Sequence, residues 1–235
     1  MRTYTARELR TGPEGPRLVV DFALHIADDL GPGTQWAASA EPGDQILVFG
    51  PRRGSEPGGI EFAGTNASSL LLVGDETAVP AVAGILRDLP SSAHGEVVLE
   101  VPTDVDVQDL EAPEGMQVHW RPRNGADRGA EVLSLVAELA ARGLGRQGPV
   151  EVKDLTRATD AVEEIDPDLW ETPRYSSATG QLVAEPTIDS NFYAWIAGEA
   201  KVVTGLRRYL VKDLGIDRSQ VAFMGYWRDG VAMKG

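Results

Sequence analysis

The hydrophobic pattern of this chain changes character near residue 60. Ahead of it the apolar runs are short and mixed with polar positions. Residues 2–9 and 16–24 flank the turn Thr11-Gly12-Pro13-Glu14-Gly15 and predict a β-hairpin. Gly31-Pro32-Gly33-Thr34 then reads as a loop entering a short helix that ends near residue 40. The turn Glu41-Pro42-Gly43-Asp44 predicts a strand at 45–49, and 50–59, rich in Gly and Pro, a loop or linker. From residue 68 onward, strand-length apolar runs alternate with helical periodicity. Strands are expected at 69–73, 96–101, 116–120, 192–197 and 220–226, and helices at 77–89, 105–110, 129–142 and 199–214. In the helix at 129–142, Val132, Leu135, Val136 and Leu139 fall on one face. Such alternation predicts an α/β architecture with a mostly parallel sheet covered on both faces. Residues 143–190 are polar and read as an insertion, with one short helix near 154–164.

Composition narrows the chemistry. At 235 residues and 42% hydrophobic content, the chain can bury one large core or two small ones. It has no cysteine, which excludes disulfides, zinc–thiolate sites, cysteine-ligated clusters and thiol catalysis. His25, His94 and His119 lie far apart without metal-ligand spacing, so no metal site is expected. The formal net charge of −14 argues against nucleic acid and anionic membranes as partners. No run approaches the roughly 20 apolar residues of a membrane span. Met1-Arg2-Thr3-Tyr4-Thr5 lacks the apolar core of a signal peptide, so a cytoplasmic location is expected.

Three stretches carry candidate chemistry. Gly74-Asp75-Glu76-Thr77-Ala78-Val79-Pro80 joins an apolar strand to a helix, the turn that α/β sheets use to place a nucleotide at a helix N-terminus. Arg2-Thr3-Tyr4-Thr5 offers a cation for a phosphate, an aromatic for an isoalloxazine ring and a hydroxyl for its N5; an ordinary strand is the other reading. Gly31-Pro32-Gly33-Thr34 can bring backbone amides to a phosphate, or can simply start a helix.

The order of short motifs adds to this. R-x-Y-T is followed by V-D-F-x-L-H (Val20 to His25), G-P-x-T-x-W-A (Gly31 to Ala37), P-G-D (Pro42 to Asp44) and G-P (Gly50, Pro51). Then come G-D-E-T-A-x-P (Gly74 to Pro80), A-G-E-A (Ala197 to Ala200), L-R-R-x-L (Leu206 to Leu210) and G-Y-W-R-x-G (Gly225 to Gly230). This layout resembles the siderophore-interacting protein family, flavin-dependent ferric-siderophore reductases of the ferredoxin-reductase superfamily. The resemblance implies a partial antiparallel FAD-binding β-barrel over residues 1–60. A Rossmann-like parallel-sheet NAD(P)-binding domain would follow over 61–235, interrupted by the insertion at 143–190. In that family part of the barrel precedes R-x-Y-T, which here begins at residue 2, so several barrel strands are expected to be missing.

The resemblance assigns Arg2, Tyr4 and Thr5 to the flavin, with Tyr4 against the ring and Thr5 near N5. Asp21 and His25 would line the adenine–ribose–phosphate side, and Gly33 and Thr34 would hold the pyrophosphate. Asp75, Glu76 and Thr77 would lie between flavin and nicotinamide, and Gly198 and Glu199 where the nicotinamide enters. Tyr226, Trp227 and Arg228 would flank the flavin or the iron-chelate pocket. The implied reaction carries electrons from NAD(P)H through FAD to Fe(III) in a siderophore, releasing Fe(II), with no catalytic acid or base and no metal ligand from the protein. Anionic ferric siderophores require a local basic patch, for which Lys201, Arg207, Arg208, Lys212, Arg228 and Lys234 are the candidates, Arg228 foremost. Arg121 and Arg123 could take the 2′-phosphate of NADPH, and NADPH and NADH both stay open. A generic flavin electron-transfer module with another acceptor and a non-catalytic binding remnant are the competing readings. The oligomeric state is left open.

Overall fold

In the computed structural model, which describes residues 3–24, 31–50, 62–145, 170–172, 175–176, 181–182 and 191–230, the chain opens with the expected hairpin. Strands β1 (Glu8–Gly12) and β2 (Gly15–Val19) pair antiparallel, Gly12 opposite Gly15, with Pro13 and Glu14 at the tip. Gly15 has φ +106°, a conformation open to glycine at small cost. The strands are shorter than the runs at 2–9 and 16–24, so Tyr4 and Thr5 lie ahead of β1 rather than on it. Helix α1 (Pro32–Ser39) follows, with proline in its first turn. The strand expected at 45–49 does not form. That stretch joins no ladder with any described residue, and Leu47 is 89% exposed. An apolar run becomes a strand only where backbone partners and a covering face exist.

The larger sheet is built from the later apolar runs: β3 (Leu70–Gly74), β4 (His94–Val101) and β5 (Gly115–Pro122). Helix α2 (Val79–Asp88) joins β3 to β4, and α3 (Ala130–Gly143) follows β5. Three short strands come from the insertion, β6 (Trp170–Thr172), β7 (Tyr175–Ser176) and β8 (Gln181–Leu182). Then come β9 (Tyr193–Glu199), α4 (Ala200–Arg208) and β10 (Val221–Trp227). The spatial order is β5-β4-β3-β9-β10-β6-β7-β8. The first five strands pair in parallel, and β6, β7 and β8 extend the sheet antiparallel beyond β10. The chain moves outward from β3 to β5 and returns to lay β9 on the other side of β3, so the strand order reverses between β3 and β9.

Strand alternation divides the core in two. Leu71, Val73, Val98, Ala194, Ile196 and Phe223 face α3 and α4. Leu70, Leu72, Val97, Leu99, Tyr193 and Trp195 face α2. The central strands β3, β9 and β10 are apolar on both faces because helices cover both, the expected signature of a parallel sheet, whereas edge strand β5 alternates polar Gln117, His119 and Arg121 with apolar positions. Two helix expectations shift. The helix at 105–110 is a single 3-10 turn, Asp104–Asp106, closed by reciprocal Thr103–Asp106 hydrogen bonds. The helix expected to reach 214 turns into a π-helical segment, Tyr209–Asp213, where the Leu214 N–H donates to the Tyr209 carbonyl at 3.0 Å. The helix expected near 154–164 and most of the 50–59 loop lie outside the described residues. Among the described residues, no helix is long and apolar enough to cross a membrane.

Burial sets the cost of truncation. Leu72→Ala, at a fully buried position, should lower unfolding stability by about 3 kcal/mol. Leu47→Ala, at an exposed one, should change it by less than about 0.5 kcal/mol. Urea denaturation of both variants checks the contrast.

Candidate functional site

The strand–turn–helix predicted at Gly74–Pro80 forms, and its inner side is occupied by Asp75. This carboxylate is buried at the carboxyl end of β3. Its Oδ1 accepts the Thr77 amide at 2.9 Å and the Thr77 hydroxyl at 2.5 Å. Its Oδ2 accepts the Glu199 amide at 2.7 Å and the Trp227 indole N–H at 2.8 Å. One side chain thereby ties together the ends of β3, β9 and β10. A β-bulge makes the last link: Gly225 pairs with Gly198, Trp227 pairs with Glu199, and Tyr226 is the extra residue. Gly198 has φ +146°, and a Cβ on it would stand 2.6 Å from Asp75 Oδ2. Glycine is required there both by the backbone conformation and by the carboxylate lying against it. Burial, then the charge of Glu76, raises the Asp75 carboxyl above its usual range, while the Thr77 and Trp227 hydrogen bonds oppose the shift.

A second layer of charge surrounds it. Glu76 accepts from both terminal nitrogens of Arg123, at 2.9 and 3.0 Å, and from Arg128 at 3.0 Å. Arg123 also donates to Glu100 at 3.0 Å, and Glu100 accepts the Gly129 amide at 2.7 Å. Arg123 and Glu76 are only 9% and 10% exposed, so this fork-to-carboxylate pairing sits out of bulk water. Burial raises the Glu100 carboxyl, against the Gly129 amide and Arg123, which lower it. Arg128 lies over the Trp227 ring, 4.5 Å from its centroid. Glu199 caps α4, its Oε2 accepting the amides of Lys201 and Val202 at 2.8 and 3.1 Å. A small pocket opens among Gly74, Asp75, Glu100, Arg128, Gly198 and Glu199, floored by Val73, Val132 and Ile196.

The N-terminal candidates form a set of their own. The Tyr4 hydroxyl lies against Gly33, in the space that a side chain on that residue would need. The Tyr4 ring stands 4.5 Å from that of Phe22, and Phe22 5.7 Å from Trp36 of α1, an aromatic ladder along the start of the helix. Tyr4 is exposed, and Thr5, Gly33 and Thr34 are half-buried. The first turn of α1 carries no acidic residue, and no side chain caps it. Asp21 pairs with Arg7 at 3.5 Å, and Arg87 of α2 donates to the Arg7 carbonyl at 3.0 Å, fastening the hairpin segment to the larger sheet's helix.

Other candidates separate. Lys201, Arg208 and Lys212 are exposed, whereas Arg207 packs over the Phe223 ring at 4.3 Å. Tyr226 and Arg228 are half-buried beside Trp227. Arg123 is committed to Glu76 and Glu100 and has no outward fork for a 2′-phosphate, and Arg121 donates to the Trp120 carbonyl at 2.8 Å. His119 bonds Glu96 at 2.7 Å. Arg2, His25 and Lys234 lie outside the described residues. Glu100 and Arg128, both central to the network, were not anticipated. Glu100 left one signal, a lone charge in the apolar run from Val97 to Val101.

Comparison with known proteins places this arrangement. Residues 67–230 match the family model described as siderophore-interacting protein, and residues 1–55 match that of the siderophore-interacting FAD-binding domain. The chain belongs to the siderophore-interacting protein family. An uncharacterized protein of Mycobacterium tuberculosis is 30% identical over 232 residues, 98% of this chain. The ferric vibriobactin reductase of Vibrio cholerae is 28% identical over 229 residues, 97% of this chain. The chain spans 65% of the length of each of these relatives. The siderophore-interacting protein SipS of Aeromonas hydrophila is 27% identical, with a TM-score of 0.64 over 98% of this chain and 68% of that one.

In this member of the siderophore-interacting family the Asp75 bridge makes two measurable demands. Gly198→Ala should destabilise the fold by about 1–3 kcal/mol in chemical denaturation, through strain and the Asp75 contact. Folded Asp75 keeps its proton to a higher pH than the unfolded chain does. Its contribution to stability is therefore complete below the unfolded value and declines as pH rises through the folded one. The stability gap between Asp75→Asn and wild type should accordingly shift in the variant's favour as pH rises above the ordinary carboxylate range.

Proposed function

We propose that the chain reduces ferric siderophores in the cytoplasm, with FAD held by residues of the N-terminal part supplying the conversion between a two-electron donor, NADH or NADPH, and one-electron delivery to chelated Fe(III). The observation that carries this reading is the contact of Tyr4 with Gly33 across 29 positions of sequence (33 − 4), which joins an exposed aromatic face to a helix N-terminus that no side chain caps. Those are the two surfaces that a ring system and a diphosphate need, one apolar and flat, the other rich in backbone N–H donors. The residues present therefore fit the group. Tyr4 and Thr5, with Arg2, would hold the flavin; Asp21 and His25 would line the adenine–ribose–phosphate side, and Gly33 and Thr34 would hold the pyrophosphate. The ferric vibriobactin reductase supports the reaction class as a relative at 28% identity.

The larger sheet would supply the other wall. Asp75, Glu76 and Thr77, with Gly198, Glu199, Tyr226 and Trp227, form a hydrogen-bonded edge that orients an incoming ring without a mobile base. Arg228, Lys201 and Arg208 would draw an anionic iron chelate toward an edge that is otherwise acidic. The domain arrangement that follows is an FAD-binding part over 1–60 and an NAD(P)-binding part over 61–235.

Purified protein mixed with FAD, NADPH and a ferric siderophore should turn over, with Fe(II) trapped by a ferrous-specific dye. Quinone or free-flavin reduction without chelate reduction would favour a generic electron-transfer module instead, and protein that takes up no FAD would favour a binding remnant. Tyr4→Ala should weaken FAD binding by roughly tenfold, read by flavin fluorescence, and Thr5→Ala should alter the bound flavin spectrum. Arg228→Ala should slow reduction of anionic chelates more than neutral ones, and added salt should narrow the difference.

A further inference from the structure

Each helix that leaves the carboxyl edge of the parallel sheet begins beside a carboxylate of the chain itself. Ahead of α2, Asp75 accepts the Thr77 amide at 2.9 Å. Immediately ahead of α3, Glu100 accepts the Gly129 amide at 2.7 Å. On α4, Glu199 accepts the first-turn amides of Lys201 and Val202 at 2.8 and 3.1 Å. Of the four described helices only α4 has its first-turn amides capped by a side chain; α2, like α1, has no side-chain cap and no acid in its first turn, but the turn leading into it is closed by Asp75. Asp75 and Glu199 fall where the strand order reverses, between β3 and β9, and Glu100 lies on neighbouring β4, lining the same pocket. Doubly wound sheets take a diphosphate in that crevice because free amides and positive helix ends meet there. In this chain the Asp75 carboxylate bridges the crevice from Thr77 to Glu199 and Trp227. It lies hard against Gly198, where the Cβ of an alanine would stand 2.6 Å from its oxygen.

We infer that Asp75, Glu100 and Glu199 are specificity determinants that bar the diphosphate of a nicotinamide dinucleotide from the sheet edge, so that a dinucleotide reductant engages this edge through its nicotinamide–ribose end alone. Two further observations agree. Arg123 is shared between Glu76 and Glu100, and Arg128 between Glu76 and the Trp227 ring, so neither guanidinium faces a phosphate unopposed. Phosphate recognition by the described residues then falls to α1, and NADH and NADPH bind the edge with similar, low affinity. The inference takes its relevance from the proposed reductant, but its test needs neither flavin reduction nor turnover.

Inorganic pyrophosphate and ADP-ribose are titrated calorimetrically into the full chain at low salt with saturating FAD present, for wild type, Glu100→Gln and Glu199→Gln. Glutamine keeps a carbonyl oxygen for the capped amides while removing the charge, and circular dichroism melting verifies that each variant folds. Wild type should bind both probes more weakly than about 1 mM. Each variant should gain affinity by about fivefold, the gain shrinking as salt is added. If one variant does not fold, the other, on a separate helix, gives the answer. Submillimolar binding of either probe by FAD-saturated wild type, or unchanged or weaker binding by the folded variants, overturns the inference. Should the chain take up no FAD, any binding at α1 is common to all three proteins and the difference between them still decides, whereas the flavin reading alone has failed.

Discussion

The Asp75 carboxylate is the constraint on which the carboxyl edge of this fold depends. A buried carboxylate is costly, and both its burial and the charge of Glu76 act against its ionised form. Four donors offset that cost: the amide and hydroxyl of Thr77, the Glu199 amide and the Trp227 indole. Removal of the carboxylate would leave the Glu199 amide and the indole without their acceptor, and an unmet buried donor costs about 1–3 kcal/mol. The geometry around it is correspondingly exacting. Gly198 has no room for a side chain, Gly74 would place one 2.6 Å from Ala78, and the bulge at Tyr226 brings Trp227 into register with Glu199. Three strand ends far apart in sequence are thus held to one another by polar contacts at the place where the apolar core stops.

Charge at this edge is layered rather than scattered. The acids lie inward, at the helix starts, where their charge is favourable to the helix dipoles. The two arginines lie over them and are nearly used up in pairing, Arg123 in a bidentate fork with Glu76 and Arg128 between Glu76 and Trp227. The network counts four carboxyl groups (Asp75, Glu76, Glu100, Glu199) against two guanidiniums. The exposed cations lie further along, at Lys201 and Arg208, with Arg228 half-buried.

What could be read in the sequence was what local pattern controls. The central parallel strands were legible because they are apolar on both faces, edge strand β5 by its alternation, and α2 and α3 because their buried residues recur at helical spacing. Position 45–49 has the same apolar look and forms no ladder, since nothing described pairs with it. The Gly74–Pro80 turn was legible as a turn, yet its content was not: that Asp75 would reach Glu199, 124 positions away, is a property of strand order and register. Arg128 gave no signal, because its partners Glu76 and Trp227 are brought to it from 52 and 99 positions away (128 − 76 and 227 − 128). Tyr4 and Gly33 were each singled out from short motifs, and only the fold puts one against the other.

The two ends of the chain consequently divide the work by the state of their helix starts. At α1 no side chain caps the first turn, and an aromatic ladder runs from Tyr4 through Phe22 to Trp36. At α4 the first-turn amides are taken by Glu199, and just ahead of α2 and α3 the amides of Thr77 and Gly129 are taken by Asp75 and Glu100. A fold that ordinarily gathers phosphates at its sheet edge here lines that edge with carboxyl groups of its own. The edge becomes a surface whose sign opposes phosphates and whose shape is set by hydrogen bonds rather than by flexible side chains. Reactions between bound groups need fixed orientation more than tight binding, and the hydrogen bonds from Asp75 to Thr77, Glu199 and Trp227 fix the geometry of this edge.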